Sequence, residues 1–546
     1  MNSNVNVLVV IPARGGSKGI PRKNLRALAG KPLISYSIIT ALTCKFQPDV
    51  YVTTDDHEIA SIAERLGAKI IQRDSGIAQD HTTLDPVVYD AYLQAGCSEG
   101  KQYDLVVTLQ PTSPLLRSHS LDTALLRLTK EPSIDTVISA CDDTHLTWRR
   151  EDGVYIPNYN GRVNRQYLEP VYKETGGFLI TRSSIISESN RIGKCVDLHL
   201  LQGGEGIDID TYEDWSLCEY YLKRKKILFV VSGNKNIGLG HIYNTLIIAN
   251  DILNHQVEFL VDEGSRLAYE KIESKNYVVH MQREKDIAKD VLRLAPDVVI
   301  NDRLDTTEEY MAEIKSSGIK TINFEDLGAG ALFADLVINA IYPEREVLPK
   351  HYFGHEYIIL RDEFILTPAK PVVERVGQVL LTFGGVDPNN HTRRVIDAIY
   401  SYCRNFGIRI VVAAGFGYPY YDTLKSYPDI EIHNDSMAIA KLMSGSDIIF
   451  TSAGRTTYEV ASLQVPAIVL AQNERELTHF FASSEYGFIN LGLGTSVSGD
   501  EILRVFTRLV ENYPTRHYMS TLMGKFDLGS GRKRVLKLIN DVLEQA

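Results

Sequence analysis

The feature that most constrains this chain is a recurrence of short, nearly continuous apolar runs: VNVLVVI, DVYVTT, YDLVVTL, KILFVV, DVVIND, QVLLTF, IRIVVAA, DIIFTS and PAIVL. Runs of this length without polar alternation read as strands buried on both faces, as in a parallel sheet covered by helices. Helix-length amphipathic segments separate most of them, which is the βαβ pattern. In TDDHEIASIAERLGAK, Ile59, Ile62, Ala63 and Leu66 share a helical face, Asp55 and Asp56 favour its N-terminus, and Gly67 supplies the stop. The expected class is α/β, and 546 residues call for several cores.

Two boundaries stand out. In EYYLKRKKILFVVSG a helix ends in the cations Lys223 to Lys226 and a strand begins at once; LTPAKPVVERVGQ is polar and proline-bearing ahead of the strand QVLLTF. The expected divisions are residues 1–224, 225–368 and 369–546. No run approaches the roughly 18 apolar residues of a membrane span, and no leader-like segment is visible at the start. A net charge of −11 argues against nucleic acid. Six cysteines without CxxC pairing argue against a zinc site or a disulfide framework, so a reducing cytoplasm is the default expectation.

Against that acidic background, VVIPARGGSKGIPRKNL is informative. An apolar strand breaks into Gly15 and Gly16 and then carries Arg14, Lys18, Arg22 and Lys23 within ten residues. Backbone N–H groups of such a turn, with these cations, suit a polyphosphate, although the loop is not the GxxxxGK[ST] of ATPases. Near residue 210, Asp208 and Asp210 are two apart, and in an extended segment they project from one face. Two carboxylates so placed suit a magnesium ion that also binds substrate phosphates. Thr211 and Asp214 read as a capping box for the next helix, which leaves the two aspartates for other work.

IPARGGSKGIPRKN resembles the first motif of the acylneuraminate cytidylyltransferases, which make CMP-sialic acid and related CMP-nonulosonic acids. The resemblance continues in order through VYVTTDDHEIASIAERLGA, LQPTSPLLR, YKETGGFLITR and GIDIDTYEDW, across residues 5 to 222. Kdo cytidylyltransferases share the fold but open with a different loop. The resemblance implies a Rossmann-like nucleotidyltransferase domain with Arg14, Ser17, Lys18, Lys23 and Asn24 on CTP, and Arg73 and Asp80 near the nucleotide. It implies Gln110, Thr112, Ser113, Arg165 and Gln166 on the sugar acid, and Asp208 and Asp210 on Mg2+. In catalysis Asp208, Asp210, Arg14 and Lys23 would stabilise charge while the anomeric hydroxyl of a 2-keto sugar acid attacks the α-phosphorus. A homodimer or higher homo-oligomer through this domain is also implied.

In the remainder, KILFVVSGNKNIGLGHIYNTLIIANDIL reads as strand, glycine loop and helix, with Ile242, Leu246, Ala249 and Leu253 sharing a face. It resembles the GxGH loop of the UDP-sugar hydrolase of the pseudaminic acid pathway, a MurG-like relative with the two-half glycosyltransferase-B fold. VLLTFGGVDPNN and SDIIFTSAGRTTYEVASLQVPAIVLAQNERE follow in that order. This implies a UDP-sugar ligand: UDP on Gly454, Thr456, Glu459 and Asn473, diphosphate at the helix opening after Gly454, and His241 as the base that activates water. Two positions depart from the pattern. Asn244 stands where an arginine is usual, and DRL, Asp302 to Leu304, replaces a segment ending in tyrosine. Hydrolysis, glycosyl transfer and binding without turnover all remain open for this part.

Overall fold

Alternate residues of the first strand, Val7–Pro12, enter different cores. Val7, Val9 and Ile11 pack with Val50, Val52, Leu105 and Val107, whereas Leu8 and Val10 pack with Tyr51, Ile71 and Val106. Both faces are therefore covered, which explains why the run lacks polar alternation. The computed structural model describes residues 5–546 apart from 17–18, 80–81, 234–239, 345, 416 and 435–437. Ser17, Lys18 and Asp80, and residues 234–239 of the loop before Gly240 and His241, lie outside the described residues. The chain forms two compact units, Met1–Arg224 and Lys225–Ala546.

The first unit is built on β1 (Val7–Pro12), β2 (Asp49–Thr54), β3 (Lys69–Gln72), β4 (Leu105–Leu109), β5 (Thr136–Asp142), β6 (Tyr172–Arg182) and β7 (Val196–Leu200). Their order across the sheet is β7-β5-β6-β4-β1-β2-β3, and β6 runs antiparallel to both neighbours. Connections leave β1 toward β2 on one side while β4 lies on the other. The crevice between the carboxyl ends of β1 and β4 is the switch point where α/β sheets bind ligands. The helix His57–Leu66 follows the reading from sequence: Asp56 accepts from the backbone N–H of Glu58 and Ile59, and Gly67 closes it at φ 97°. Thr211 and Asp214 form the capping box of the helix Tyr212–Lys223.

The second unit holds two further sheets. One consists of β8 (Lys226–Val231), β9 (Gln256–Val261), β10 (Val278–Met281), β11 (Val298–Asp302), β12 (Lys320–Phe324), β13 (Leu336–Asn339) and β14 (His351–Phe353), in the order β10-β9-β8-β11-β12-β13-β14. The other consists of β15 (Gln378–Thr382), β16 (Arg409–Ala414), β17 (Ile430–Asn434), β18 (Ile448–Thr451), β19 (Ala467–Ala471) and β20 (Phe488–Leu493), ordered β17-β16-β15-β18-β19-β20. All pairings are parallel, and each sheet has the doubly wound 3-2-1-4-5-6 order, extended by a seventh strand in the first, with its switch point between the first and fourth strands.

A division at 368/369 separates the two sheets but not the packing. The last helix, Gly531–Leu543, returns to the first sheet, where Val535, Ile539 and Val542 pack with Ile227, Phe259 and Ile338. Arg532 fastens it to Asp251 at 2.5 and 2.6 Å. One correction concerns Leu253: the helix Gly240–Asp251 stops short of it and the side chain is exposed, so the buried face comprises Ile242, Leu246 and Ala249. Among the described residues no helix is long and apolar enough to cross a membrane.

Candidate functional site

At the switch point of the first unit, the loop after β1 meets residues 110–113 after β4 and the segment 207–210. Lys23 Nζ donates to the carbonyl of Ile209 at 2.6 Å and stands 3.5 Å from Asp210 Oδ1. Ile209 N in turn donates to the carbonyl of Thr112 at 2.8 Å. These contacts draw the loop lysine, the aspartate segment and the polar end of β4 into one site. Asn24 holds the loop from within, donating to the carbonyl of Arg14 at 3.0 Å. Gly15 donates to Asp55 at 2.9 Å and passes so close to Asp56 that a Cβ would stand 2.7 Å from its carboxylate.

The two aspartates differ in environment. Asp210 is exposed, whereas Asp208 Oδ1 is buried and has no hydrogen-bond partner among the described residues. Burial pushes the Asp208 carboxyl above the ordinary aspartate range and Asp210 adds to the rise; nearby Thr112 and Lys23 oppose it. The hydroxyls of Thr112 and Ser113 are likewise buried without partners; Thr112 lies near enough to influence Asp208 without closing a bond of ordinary geometry. Gly176 is required here, since a Cβ would lie 2.9 Å from the Asp208 carboxylate. A buried carboxylate oxygen and two hydroxyls left unsatisfied are costly unless something else satisfies them. Among the described residues no three His, Cys, Asp or Glu side chains converge on a metal-sized site. An ion here would have Asp208 and Asp210 from the protein and the rest of its shell from phosphate and water, the usual habit of magnesium.

Other sequence candidates are placed differently. Arg73 is buried, donates to the carbonyl of Thr53 at 2.7 Å and is held below the ordinary arginine range chiefly by burial. It braces the end of β2 beneath the loop. Arg165 and Gln166 lie on an exposed one-turn helix, Arg165–Tyr167, where Arg165 pairs with Asp142 at 3.6 Å. The structure thus gives Arg165 a surface ion pair. Gln110 donates its backbone N–H to the carbonyl of Gly176 at 3.3 Å, which fixes the start of the polar segment.

In the second unit the carboxyl ends of both sheets line a cleft of about 720 Å³, within the range of small-ligand sites. His241, at the first turn of the helix Gly240–Asp251, directs Nδ1 to Asp302 Oδ1 at the end of β11. Asn244 donates to the other oxygen, Asp302 Oδ2, at 2.8 Å. Arg455 reaches across from the second sheet, donating to Asn244 Oδ1 at 3.2 Å and Glu325 Oε1 at 2.8 Å. Burial raises the Glu325 carboxyl above its ordinary range. Leu304 and Glu325, both on the cleft, have φ of 70° and 54°; non-glycine residues held there are strained, and such strain concentrates at functional sites.

Gly454, Thr456, Glu459 and Asn473 all line this cleft. Glu459 Oε1 accepts from Arg361 at 2.9 and 3.1 Å, and Asn473 Oδ1 accepts from the backbone N–H of Glu476 at 3.0 Å. The expected diphosphate seat is reduced. The helix after Gly454 has seven residues, Thr456–Ser462, and the backbone N–H of Ala453 already donates to Glu476 Oε2 at 3.2 Å. A short helix offers little dipole, so the cleft's cations carry more of any anion binding. Sequence reasoning missed Asp302, Glu325, Arg455 and Glu476 as site members. One signal was available: Arg455 interrupts the small-residue run TSAG before the helix.

The cytidylyltransferase family model matches residues 8–151. The pseudaminic acid cytidylyltransferase of Campylobacter jejuni is 33% identical over 226 residues, which are 40% of this chain and 96% of that protein. The chain belongs to the cytidylyltransferase family. An uncharacterized protein of Methanocaldococcus jannaschii is 32% identical over 272 residues, 46% of this chain and 56% of that protein, so the chain spans little more than half of that relative's length. MurG of Acinetobacter baumannii is similar in structure with a TM-score of 0.44 at 14% identity, over 58% of this chain and 99% of that one. In this chain the family region contains the loop with Lys23 and the end of β4; Asp208 lies downstream of the matched segment and reaches the site through the Thr112–Ile209 hydrogen bond.

Proposed function

We propose that the first unit transfers a cytidylyl group from CTP to a 2-keto sugar acid of the nonulosonic class. The observation that carries the reading is the convergence of Lys23, Thr112 and Asp208 at the switch point of a family-matching domain, with unsatisfied oxygens on Thr112 and Asp208. The anomeric oxygen of the sugar acid forms a bond to the α-phosphorus, the bond from that phosphorus to the β-phosphate oxygen breaks, pyrophosphate leaves, and the hydroxyl proton passes to solvent. Lys23 and Arg14 would bear on the triphosphate, and Thr112 and Ser113 would orient the sugar acid. Asp208 and Asp210 would hold magnesium, which when bound supplies neutralising charge for the triphosphate. The test is incubation of the full chain with CTP, magnesium and a panel of sialic, legionaminic and pseudaminic acids, with pyrophosphate release as readout. No release with any member would reject the reading.

Large exposed apolar side chains lie between residues 146 and 172, among them Trp148 at 53% and Tyr155 at 68% exposed. They support self-association of this unit, to be checked by light scattering. For the second unit the reading is a UDP-sugar site in which His241, backed by Asp302, takes a proton from the attacking hydroxyl. Free sugar with UDP would mark hydrolysis, acceptor-dependent UDP would mark transfer, and binding without release would mark a sensor.

A further inference from the structure

We propose that Asn244 and Arg455 are positioning residues that fix the tautomer of His241, through a relay completed only when the two sheets of the second unit meet across the cleft. The inference rests on His241 being the base of that cleft.

The orientation of each member is forced by its chemistry. Arginine can only donate, so the Asn244 atom facing Arg455 Nη1 at 3.2 Å is the carbonyl oxygen. The amide nitrogen then points to Asp302 Oδ2, 2.8 Å away, and a carboxylate can only accept. Asp302 is fully buried and its other oxygen faces His241 Nδ1. That oxygen calls for a proton on Nδ1, which leaves Nε2 as the acceptor on an imidazole that lines the cleft. A reversed Asn244 amide would set donor against donor at Arg455 and acceptor against acceptor at Asp302.

The relay crosses the unit. His241, Asn244 and Asp302 stand at the switch point of the first sheet and Glu325 follows the neighbouring β12, whereas Arg455 follows β18 at the switch point of the second. Arg455 also neutralises Glu325, whose carboxylate is buried and close enough to Asp302 for the two charges to repel. An arginine at position 244 would oppose Arg455. Separation of the sheets would leave the Asn244 amide free to turn, and Asp302 would lose the hydrogen bond at Oδ2 that holds its other oxygen against His241 Nδ1.

The experiment uses the full chain with 15N-labelled histidine, His241→Gln identifying the His241 resonances. The wild type should show the Nδ1–H tautomer. Arg455→Met and Asn244→Leu should each shift His241 toward a mixture of tautomers, and the double variant should go no further than either alone. If Asn244→Leu fails to fold by circular dichroism, Asn244→Ser gives the same readout with less bulk. Unchanged His241 resonances in folded variants of both positions would overturn the inference. In UDP release by Asn244→Leu, kcat should fall on the order of 10-fold or more while KM changes little, since a positioned base contributes roughly 10²–10⁴-fold; Arg455 also lines the cleft as a cation, so Arg455→Met is read by the tautomer alone. A wild type that releases no UDP from any UDP-sugar would defeat the functional reading, and the tautomer result would still decide the relay.

Discussion

Glu476→Gln should stabilise the second unit at alkaline but not at acid pH. The Glu476 carboxyl is pushed up to about 7 from an ordinary 4.5, first by burial, while its hydrogen bonds from Gln472 and Ala453 pull the other way. Both donors, at 2.8 and 3.2 Å, meet the same oxygen, Oε2, so a glutamine carbonyl can replace it. As pH rises from about 4.5, the unfolded carboxylate ionises while the folded one remains protonated until about 7. A raised folded-state pKa contributes stability that is present below the unfolded value and lost through this window. At about 1.4 kcal/mol per unit the loss is at most about 3.5 kcal/mol, an upper bound because the residue keeps some solvent contact. The amide never ionises, so the variant should lie close to the wild type at pH 5, where only the first part of the loss has occurred, and exceed it at pH 8 by up to about 3–6 °C in Tm. His479, pushed down to about 4 by burial, acts with opposite sign: its contribution is lost as pH falls from about 6.5. That loss is common to both proteins, so the difference between them isolates Glu476. Calorimetric scans across pH 5–8 give the test, and an equal gain at both ends would refute the reasoning.

Asp208→Asn should abolish CMP-sugar formation and leave the Tm unchanged or slightly higher, because it removes a buried carboxylate oxygen that has no partner; pyrophosphate release and thermal scans read the two arms. Lys23→Ala should weaken CTP binding in calorimetry and also release the segment at Ile209, which Lys23 holds at 2.6 Å. Arg516 is buried and donates to four carbonyls, of Leu509, Val510, Val373 and Glu374, at 2.6–2.9 Å. Arg516→Met strands those carbonyls and should cost about 3–5 kcal/mol in urea denaturation.

Much of this molecule was legible locally. The cap at Asp56, the stop at Gly67 and the capping box at Thr211 depend on residues within a few positions of one another, and the sequence displays them directly. The α/β class followed from unbroken apolar runs, because a strand covered on both faces has no polar face to show. Leu253 was misplaced for a related reason: periodicity continues past a helix end when nothing in the pattern marks the stop.

What tertiary structure alone decided is which distant residues share an environment. Asp208 and Asp210 look equivalent in the string, yet one oxygen of Asp208 is buried without a partner among the described residues while Asp210 faces solvent, in surroundings that Thr112 from the turn after β4 and Gly176 from β6 help to form. Asn244 read as the loss of a cation. The fold returns that charge from Arg455, 211 positions away, because the strand ends of two sheets converge on one cleft. Sequence periodicity records which face of an element is buried; it carries no record of which other element will cover it, and the chemistry of a cleft resides in that second choice.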